Sequence, residues 1–325
     1  MKSIVAVTMG DPAGIGPEIV VKSLANSEVQ KVAKCIICGN PNILKEACKV
    51  SGIPTSLLES DFATICPVSE PELKDLSFGQ INGSCGKAAF NYIEKACNLV
   101  TSGQAMAVAT APINKESLKA GLVPYIGHTE IFGYLTSVED PLTLFEVENL
   151  RIFFLTRHVS LQKACKLVTK DRIKDYVIRC TRALKQLGIS HGTMAIAGLN
   201  PHSGEHGLFG TEEIEVIEPA VKELQALGYN VTGPISADSV FYQALKGKFN
   251  SVLSLYHDQG HIAAKTYNFE RTISITCGMP ILRTSVDHGT AFDIAWQGKA
   301  SEVSMVEAIL TAAKYAPHWN KEENL

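Results

Sequence analysis

The sequence predicts an α/β fold built on a largely parallel β-sheet wrapped by helices. Short strand-like apolar runs alternate with helical patterns almost throughout, which is how parallel sheets with crossover helices are written in sequence. Hydrophobic residues fill 46% of 325 positions, with mean hydropathy +0.09, ample for a large core. Polar residues capable of chemistry recur just past the apolar runs, where ligand loops lie in such sheets.

The elements follow in chain order. Apolar runs at 4–9, 34–38, 105–110, 152–156, 193–198 and 251–256 read as buried strands. Helical patterns cover 17–25, 86–102, 161–167, 172–187 and 212–227. The last follows Gly210-Thr211, with Thr211 placed to cap it and two glutamates in its first turn to suit the helix dipole. No long Pro/Ser linker, repeat or low-complexity tract interrupts the chain, and the charged tail 320–325 is expected to fray.

Bulk properties remove several function classes. The length suits two α/β lobes or one large domain. A formal charge of −3 and a pI near 6.3 argue against an electrostatic nucleic-acid binder, which needs a concentrated basic surface. Small anionic substrates stay open, because a local cluster of cations binds them whatever the net charge. The opening run Ile4-Val5-Ala6-Val7 is too short for a signal-peptide core, and no run of about 18 apolar residues suggests a membrane span. Nine scattered cysteines fit free thiols in a reducing cytoplasm. Cys35 and Cys38 form a C-x-x-C inside the apolar run Cys35-Ile36-Ile37-Cys38. They read as strand residues packing as small hydrophobes; a redox or zinc pair is the alternative, without a second C-x-x-C to support it.

Three histidines sit one to four residues beyond strand candidates: His158, His202 and His257. Neutral imidazoles ligate zinc and similar divalent ions, so one cleft gathering all three would make a catalytic metal site. Their spacing is too long for a local zinc motif, and three separate hydrogen-bonded histidines at loop ends is the alternative. Asp258, next to His257, and Asp238, at the end of a Gly-Pro turn, are candidate ligands or ligand-tuning acceptors, against simple turn chemistry.

The glycine-rich opening 10–18 follows a strand and precedes a helix, yet it matches neither G-x-G-x-x-G nor the Walker motif. Its glycines are expected to allow tight turning and close backbone packing. His128, Thr129, Lys265 and Arg283 offer donors to a phosphate or carboxylate, with Arg283 capable of bidentate binding. The segment 287–295 places His288, Gly289, Thr290, Ala291 and Asp293 in a loop before a helix, either a cofactor loop or a capping turn.

Taken in order, Gly10–Glu18, Thr110–Lys115, Gly127–Glu130, His158, Gly198–Glu205, Gly233–Asp238, Tyr256–Gly260 and Arg283–Ala295 resemble the 4-hydroxythreonine-4-phosphate dehydrogenase family of vitamin B6 biosynthesis. The words Gly-Leu-Asn-Pro-His-Ser-Gly-Glu and Tyr-His-Asp-Gln-Gly make the resemblance specific, and it runs nearly end to end. It implies a two-lobed fold like isocitrate and isopropylmalate dehydrogenases, with the active site in the interlobe cleft of a homodimer. The lobes would be 1–125 plus 275–325 on the cofactor side and 126–274 on the metal and dimer side.

The resemblance further implies metal ligands at His158, His202 and His257, one of them given across the dimer. The ion would be zinc, magnesium or cobalt. Substrate contacts fall on His128, Thr129, Lys265, Ser274 and Arg283, and an NAD or NADP loop on His288, Gly289, Thr290, Ala291 and Asp293. Lys265, Asp258 and Asp238 are the candidate catalytic groups, with Lys265, Asp258 or a metal-linked water as the base.

One departure bears on the substrate. Ser274 stands in Ile273-Ser274-Ile275-Thr276 where the family usually has an asparagine substrate contact, and a serine is shorter and lacks the amide's donors and carbonyl. The words 260–265 and 291–296 are also similar to the branch that oxidises D-threonate or D-erythronate 4-phosphate. The expected reaction is oxidation of the C3 hydroxyl of 4-hydroxythreonine 4-phosphate to a 3-keto acid that decarboxylates to 3-amino-2-oxopropyl phosphate. The alternative is the same chemistry on threonate or erythronate 4-phosphate. A non-catalytic metabolite-binding protein and a metal-dependent hydrolase are the competing classes.

Overall fold

The structure is a computed structural model that describes residues 2–319 apart from 69, 73 and 75, so the tail 320–325 lies outside the described residues. Its strands are β1 (Ser3–Thr8), β2 (Ala33–Gly39), β3 (Ala63–Pro67), β4 (Ala107–Thr110), β5 (Leu142–Val147), β6 (Leu150–Phe154), β7 (Met194–Ala197), β8 (Val231–Ile235), β9 (Ser251–Ser254), β10 (Ile273–Cys277) and β11 (Leu282–Val286). The chain forms two compact units, Met1–Pro141 with Ile273–Leu325, and Leu142–Thr272.

In the first unit the strands run in the order β3-β2-β1-β4-β11-β10, all parallel except β10, which is antiparallel to β11. Parallel strands are covered on both faces, which is why β1 and β4 are almost wholly buried and read as unbroken apolar runs. The helix Gly83–Thr101 packs against β1, β2 and β4 through Tyr92, Ile93, Ala96 and Val100. Burial of Ile93 and of Val100 stabilises the unit by roughly 1.5–3 kcal/mol each. Asn82 starts that helix by accepting from the backbone N–H of Ser84 at 2.9 Å, a cap whose loss costs about 1 kcal/mol.

The second unit has the order β5-β6-β9-β7-β8, with β5 antiparallel to β6 and the others parallel. Phe145, Ile152, Phe154, Ala195, Val240 and Val252 form its core. The carboxyl ends of β6, β7 and β9 lead to His158, the 198–207 segment and His257.

All six expected strands are present within a few residues of the expected bounds, as are the helices Gly16–Leu24, Gly83–Thr101, Leu161–Leu167 and Lys170–Gln186. Two expectations change. The first break between units falls after Pro141 and not after residue 125, because the helix His128–Thr136 packs on the Gly83–Thr101 helix of the first unit. The helix expected from 212 opens with a wide turn at Glu213–Ile217 and becomes regular only over Glu218–Ala226. Thr211 gives that helix no side-chain cap, and Glu213 instead turns its carboxylate back to the backbone N–H groups of Leu199 and Asn200, each at 2.8 Å.

Candidate active site

The glycine-rich opening is structural, as its composition implies. Gly10 has φ +76°, and a Cβ there would lie 2.5 Å from the Pro112 carbonyl oxygen. A Cβ on Gly14 would strike Thr290 at 2.8 Å, and the Ile15 N–H donates to the Thr290 carbonyl at 3.0 Å. The opening therefore seats the 288–293 loop. Glu18, fully buried, accepts from the backbone N–H groups of Trp296 (2.5 Å) and Gly298 (2.7 Å) and holds the far end of the same stretch. Within the loop Thr290 is buried, Gly289 and Asp293 are exposed, and Ala291 has φ 43°. A run of turns follows it, and the next helix starts only at Val303.

Arg283 is the centre of the first unit's polar set. It lies on β11, 4% exposed, with Thr284 and Ser285 also buried. Its Nε and one terminal nitrogen donate to Thr110 Oγ1 at 3.2 and 2.9 Å, the other terminal nitrogen donates to Thr276 Oγ1 at 2.9 Å, and the group lies 5.3 Å over the Phe132 ring. Its hydrogen bonds among the described residues thus go to hydroxyls alone. Burial holds the guanidinium down to about 9, with Asp287 and Glu130 pulling it back up, so it stays charged at neutral pH. A buried cation without a hydrogen-bonded carboxylate is costly, and an anionic ligand would offset that cost.

His128 opens the helix His128–Thr136 on the same unit. Its Nε2 is buried without a hydrogen-bond partner among the described residues, and burial together with the Arg283 charge keeps its pKa well below the usual range. The ring is neutral and offers a polar atom that only a ligand or water would satisfy. Thr129 follows, half-buried. Ser274 pairs with Ser285 across β10 and β11, two pairs along from Thr276 and Arg283, so period-two alternation puts it on the Arg283 face.

The second unit gathers imidazoles. His158 and His257 have ring centroids 5.8 Å apart, and His261 stacks on His257 at 3.6 Å. His257 Nδ1 lies 2.6 Å from an Asp258 carboxylate oxygen, which favours the tautomer whose Nε2 carries the lone pair. A pocket of about 380 Å³ is lined by His158, Ser160, Tyr256, His257 and Asp258. Lys265, on the same helix, lies 5.3 Å over the Phe269 ring, and Asp238 is exposed in the first turn of the helix Ala237–Leu245.

His202 stands apart from the other two histidines. It lies in the segment Pro201–Gly207, where His202, Ser203, Gly204, Glu205 and His206 all have left-handed φ/ψ, and it lines a separate pocket of about 400 Å³ with Ser203, Glu205, His206 and Glu218. Among the described residues of one chain, no three His, Cys, Asp or Glu side chains gather into a metal-holding group. The donors present nonetheless suit a divalent ion: two adjacent imidazoles, one oriented by a carboxylate.

Sequence reasoning met Thr110 only as the start of a loop segment, gave no role to Thr276 or Phe132, which hold Arg283 with it, and passed over His261. The last was detectable, since His257 and His261 are four apart on one helix and must share a face. The hydroxyl pair had no local signal, because register alone brings it to the arginine.

Comparison with known proteins shows the family. The family described as pyridoxal phosphate biosynthetic protein PdxA matches residues 31–312. Proteins of Clostridium botulinum and Fusobacterium nucleatum, both named as candidate D-threonate 4-phosphate dehydrogenases, are 58% and 55% identical, each covering 98% of this chain and 99% of its own length. The solved 4-hydroxythreonine-4-phosphate dehydrogenase of Klebsiella pneumoniae superposes with a TM-score of 0.88 at 38% identity, covering 97% of this chain and 98% of its own. A neighbour from Burkholderia phymatum with the same enzyme name gives 0.84 at 37%, over 97% and 98%. No helix among the described residues is long and apolar enough to cross a membrane. The chain belongs to the PdxA family of dehydrogenases, with the two-lobed α/β fold of that family.

Proposed function

We propose that this chain is a metal-requiring, NAD(P)-dependent dehydrogenase that oxidises the C3 hydroxyl of D-threonate 4-phosphate. The observation that carries the reading is Arg283, a buried cation that among the described residues is hydrogen-bonded to hydroxyls alone, beside a neutral His128 whose Nε2 has no partner among them. Such a pair suits the phosphate or carboxylate of a small acid. The choice of acid rests on the 58% identical relative, against 38% for the Klebsiella enzyme.

In this reading Arg283, His128 and Thr129 bind an anionic end of the substrate and fix its orientation, which is the main contribution a binding site makes to a hydride transfer. Ser274, on the Arg283 face, offers one short hydroxyl to the substrate. In the second unit Asp258 holds the His257 ring, and Lys265 or Asp258 takes the hydroxyl proton, with Asp238 as a further carboxylate. His158 and His257 would hold a zinc, magnesium or cobalt ion, and His202 would join them from the second copy of a homodimer. The residues at His288, Gly289, Thr290, Ala291 and Asp293 would hold the nicotinamide cofactor's adenosine side. When bound, the cofactor supplies a hydride acceptor and the ion a Lewis acid that lowers the alcohol's pKa.

The chemistry balances simply. The alcohol loses a hydride and a proton to give a 3-keto acid; the bond from C2 to its carboxylate then breaks, carbon dioxide leaves, the electron pair passes into the enolate, and C2 takes a proton. D-threonate 4-phosphate would yield dihydroxyacetone phosphate. The second reading, 4-hydroxythreonine 4-phosphate, differs by an amine at C2 and is favoured by the Klebsiella and Burkholderia neighbours; it would yield 3-amino-2-oxopropyl phosphate. The same chemistry would act on D-erythronate 4-phosphate. A cytoplasmic setting suits such a small phosphorylated metabolite.

Initial rates of nicotinamide reduction with the three acids, with and without added divalent ion, test the proposal. The highest kcat/KM is expected for D-threonate 4-phosphate. A higher value for 4-hydroxythreonine 4-phosphate would move the assignment to the second reading. Binding without any cofactor reduction would make the chain a metabolite-binding protein.

A further inference from the structure

Cys38, on β2, is paired directly with Cys66, on the edge strand β3, in parallel register. Paired residues on neighbouring strands project to one face with backbones about 4.8 Å apart, within the roughly 4.4–6.8 Å Cα separation that a disulfide spans. Both thiols are free, and the register sets them side by side. Cys38 is buried and Cys66 is partly exposed. Cys35, the partner that the C-x-x-C spacing suggests, lies three residues along β2 and therefore faces the other side of the sheet.

We propose that Cys38 and Cys66 form a reversible redox pair, in which Cys66 reacts with a peroxide and Cys38 resolves the product as an intrachain disulfide. The inference is independent of the substrate reading. In the first step the Cys66 thiolate attacks the O–O bond; an S–O bond forms, and the departing hydroxide takes a proton to become water. In the second, the Cys38 sulfur attacks the resulting sulfenic acid; an S–S bond forms, the S–O bond breaks, and the oxygen leaves as a second water carrying the Cys38 proton. Two thiols lose two electrons and two protons, and the peroxide is reduced to two waters.

The surroundings favour Cys66 as the attacking group. The hydrogen bond from Cys38 holds the Cys66 thiol down to about 6 against the opposing effect of burial, with the Lys95 charge helping. That same bond and burial push Cys38 well above the ordinary thiol range, which suits a resolving thiol kept protonated until the first oxidation. Cys35 is pushed up to about 12 by burial and is inert by comparison.

The test treats the full chain with a small excess of hydrogen peroxide, then alkylates, digests and analyses it by mass spectrometry without reduction. A Cys38–Cys66 cross-linked peptide that disappears on adding dithiothreitol is expected, with two fewer titratable thiols. In Cys38→Ala the cross-link should vanish and a dimedone probe should trap Cys66 as its sulfenic acid; in Cys66→Ala, at the more tolerant, partly exposed site, Cys38 should stay alkylatable after the same treatment. Wild-type Cys66 alkylation should be half-maximal near pH 6, about 2.5 pH units below an ordinary thiol. Oxidised Cys66 with Cys38 still free in the wild type, or exposed Cys165 oxidised while Cys66 is untouched, would overturn the pair.

Discussion

Thr110 Oγ1 accepts two hydrogen bonds from Arg283, from Nε at 3.2 Å and from a terminal nitrogen at 2.9 Å. One hydroxyl on β4 thus fixes the plane of a guanidinium on the neighbouring strand β11. Thr110→Val keeps the shape and removes the acceptor, leaving two buried donors unmet. Stability should fall by about 1–3 kcal/mol in urea unfolding. KM should rise while kcat changes little, because the misplaced arginine weakens substrate and transition state alike. An unchanged KM would show that the guanidinium plane does not matter to binding.

His128→Phe retains a ring of similar size and removes both nitrogens. If Nε2 meets the anion, KM should rise about tenfold, equivalent to roughly 1.4 kcal/mol. Because burial and Arg283 keep the ring neutral, the wild-type KM should show no inflection attributable to this ring between pH 6 and 8. Such an inflection, absent from the variant, would mean that the imidazole carries charge.

Asp258→Asn tests the orientation of His257. The carboxylate 2.6 Å from Nδ1 should raise the ligand strength of the other nitrogen, so its loss should weaken divalent-ion binding by about 10–100-fold. Titration with cobalt, followed by its visible spectrum, reads this directly. Equal affinity in both forms would leave Asp258 as a surface carboxylate only.

Asp11 offers a pH test of stability. Burial raises its pKa to about 6, partly offset by the hydrogen bond from the Ala13 N–H at 2.8 Å. The folded value lies above the unfolded 3.8, so the folded state holds the proton more tightly across that window. This group therefore stabilises the fold at low pH relative to neutral, and its contribution falls as pH rises from near 4 through about 6. Asp11→Asn should remove that slope, changing the difference in unfolding free energy between pH 5 and 7 by about 1 kcal/mol. Parallel pH profiles for variant and wild type would contradict the assignment.

Much of this was legible in the chain because parallel strands buried on both faces announce themselves as apolar runs, as Val5, Val7, Val252 and Leu253 do. The histidines were visible because each follows such a run. Strands β10 and β11 were not, since Arg283, Thr284, Ser285 and Thr276 are polar residues buried for binding or hydrogen bonding and break the hydropathy signal. The Cys38–Cys66 pairing was equally hidden, because the nearer Cys35 is the obvious partner and only strand register reveals the other. Thr211 misled for a different reason: Glu213, a good first-turn residue by charge, was drawn into holding the 199–200 backbone.

The stretch His202–His206 curls with the opposite hand from an ordinary helix, and four of its five residues carry side chains that resist this by roughly 1–2 kcal/mol each. Local preference would unwind it, so the surrounding chain imposes its shape, with the Glu213 carboxylate tying down the adjoining Leu199 and Asn200 N–H groups. Exchanging Ser203 for glycine should therefore make the protein harder to melt while letting the His202 ring wander: a gain in Tm, accompanied by weaker metal retention if His202 holds the ion as proposed.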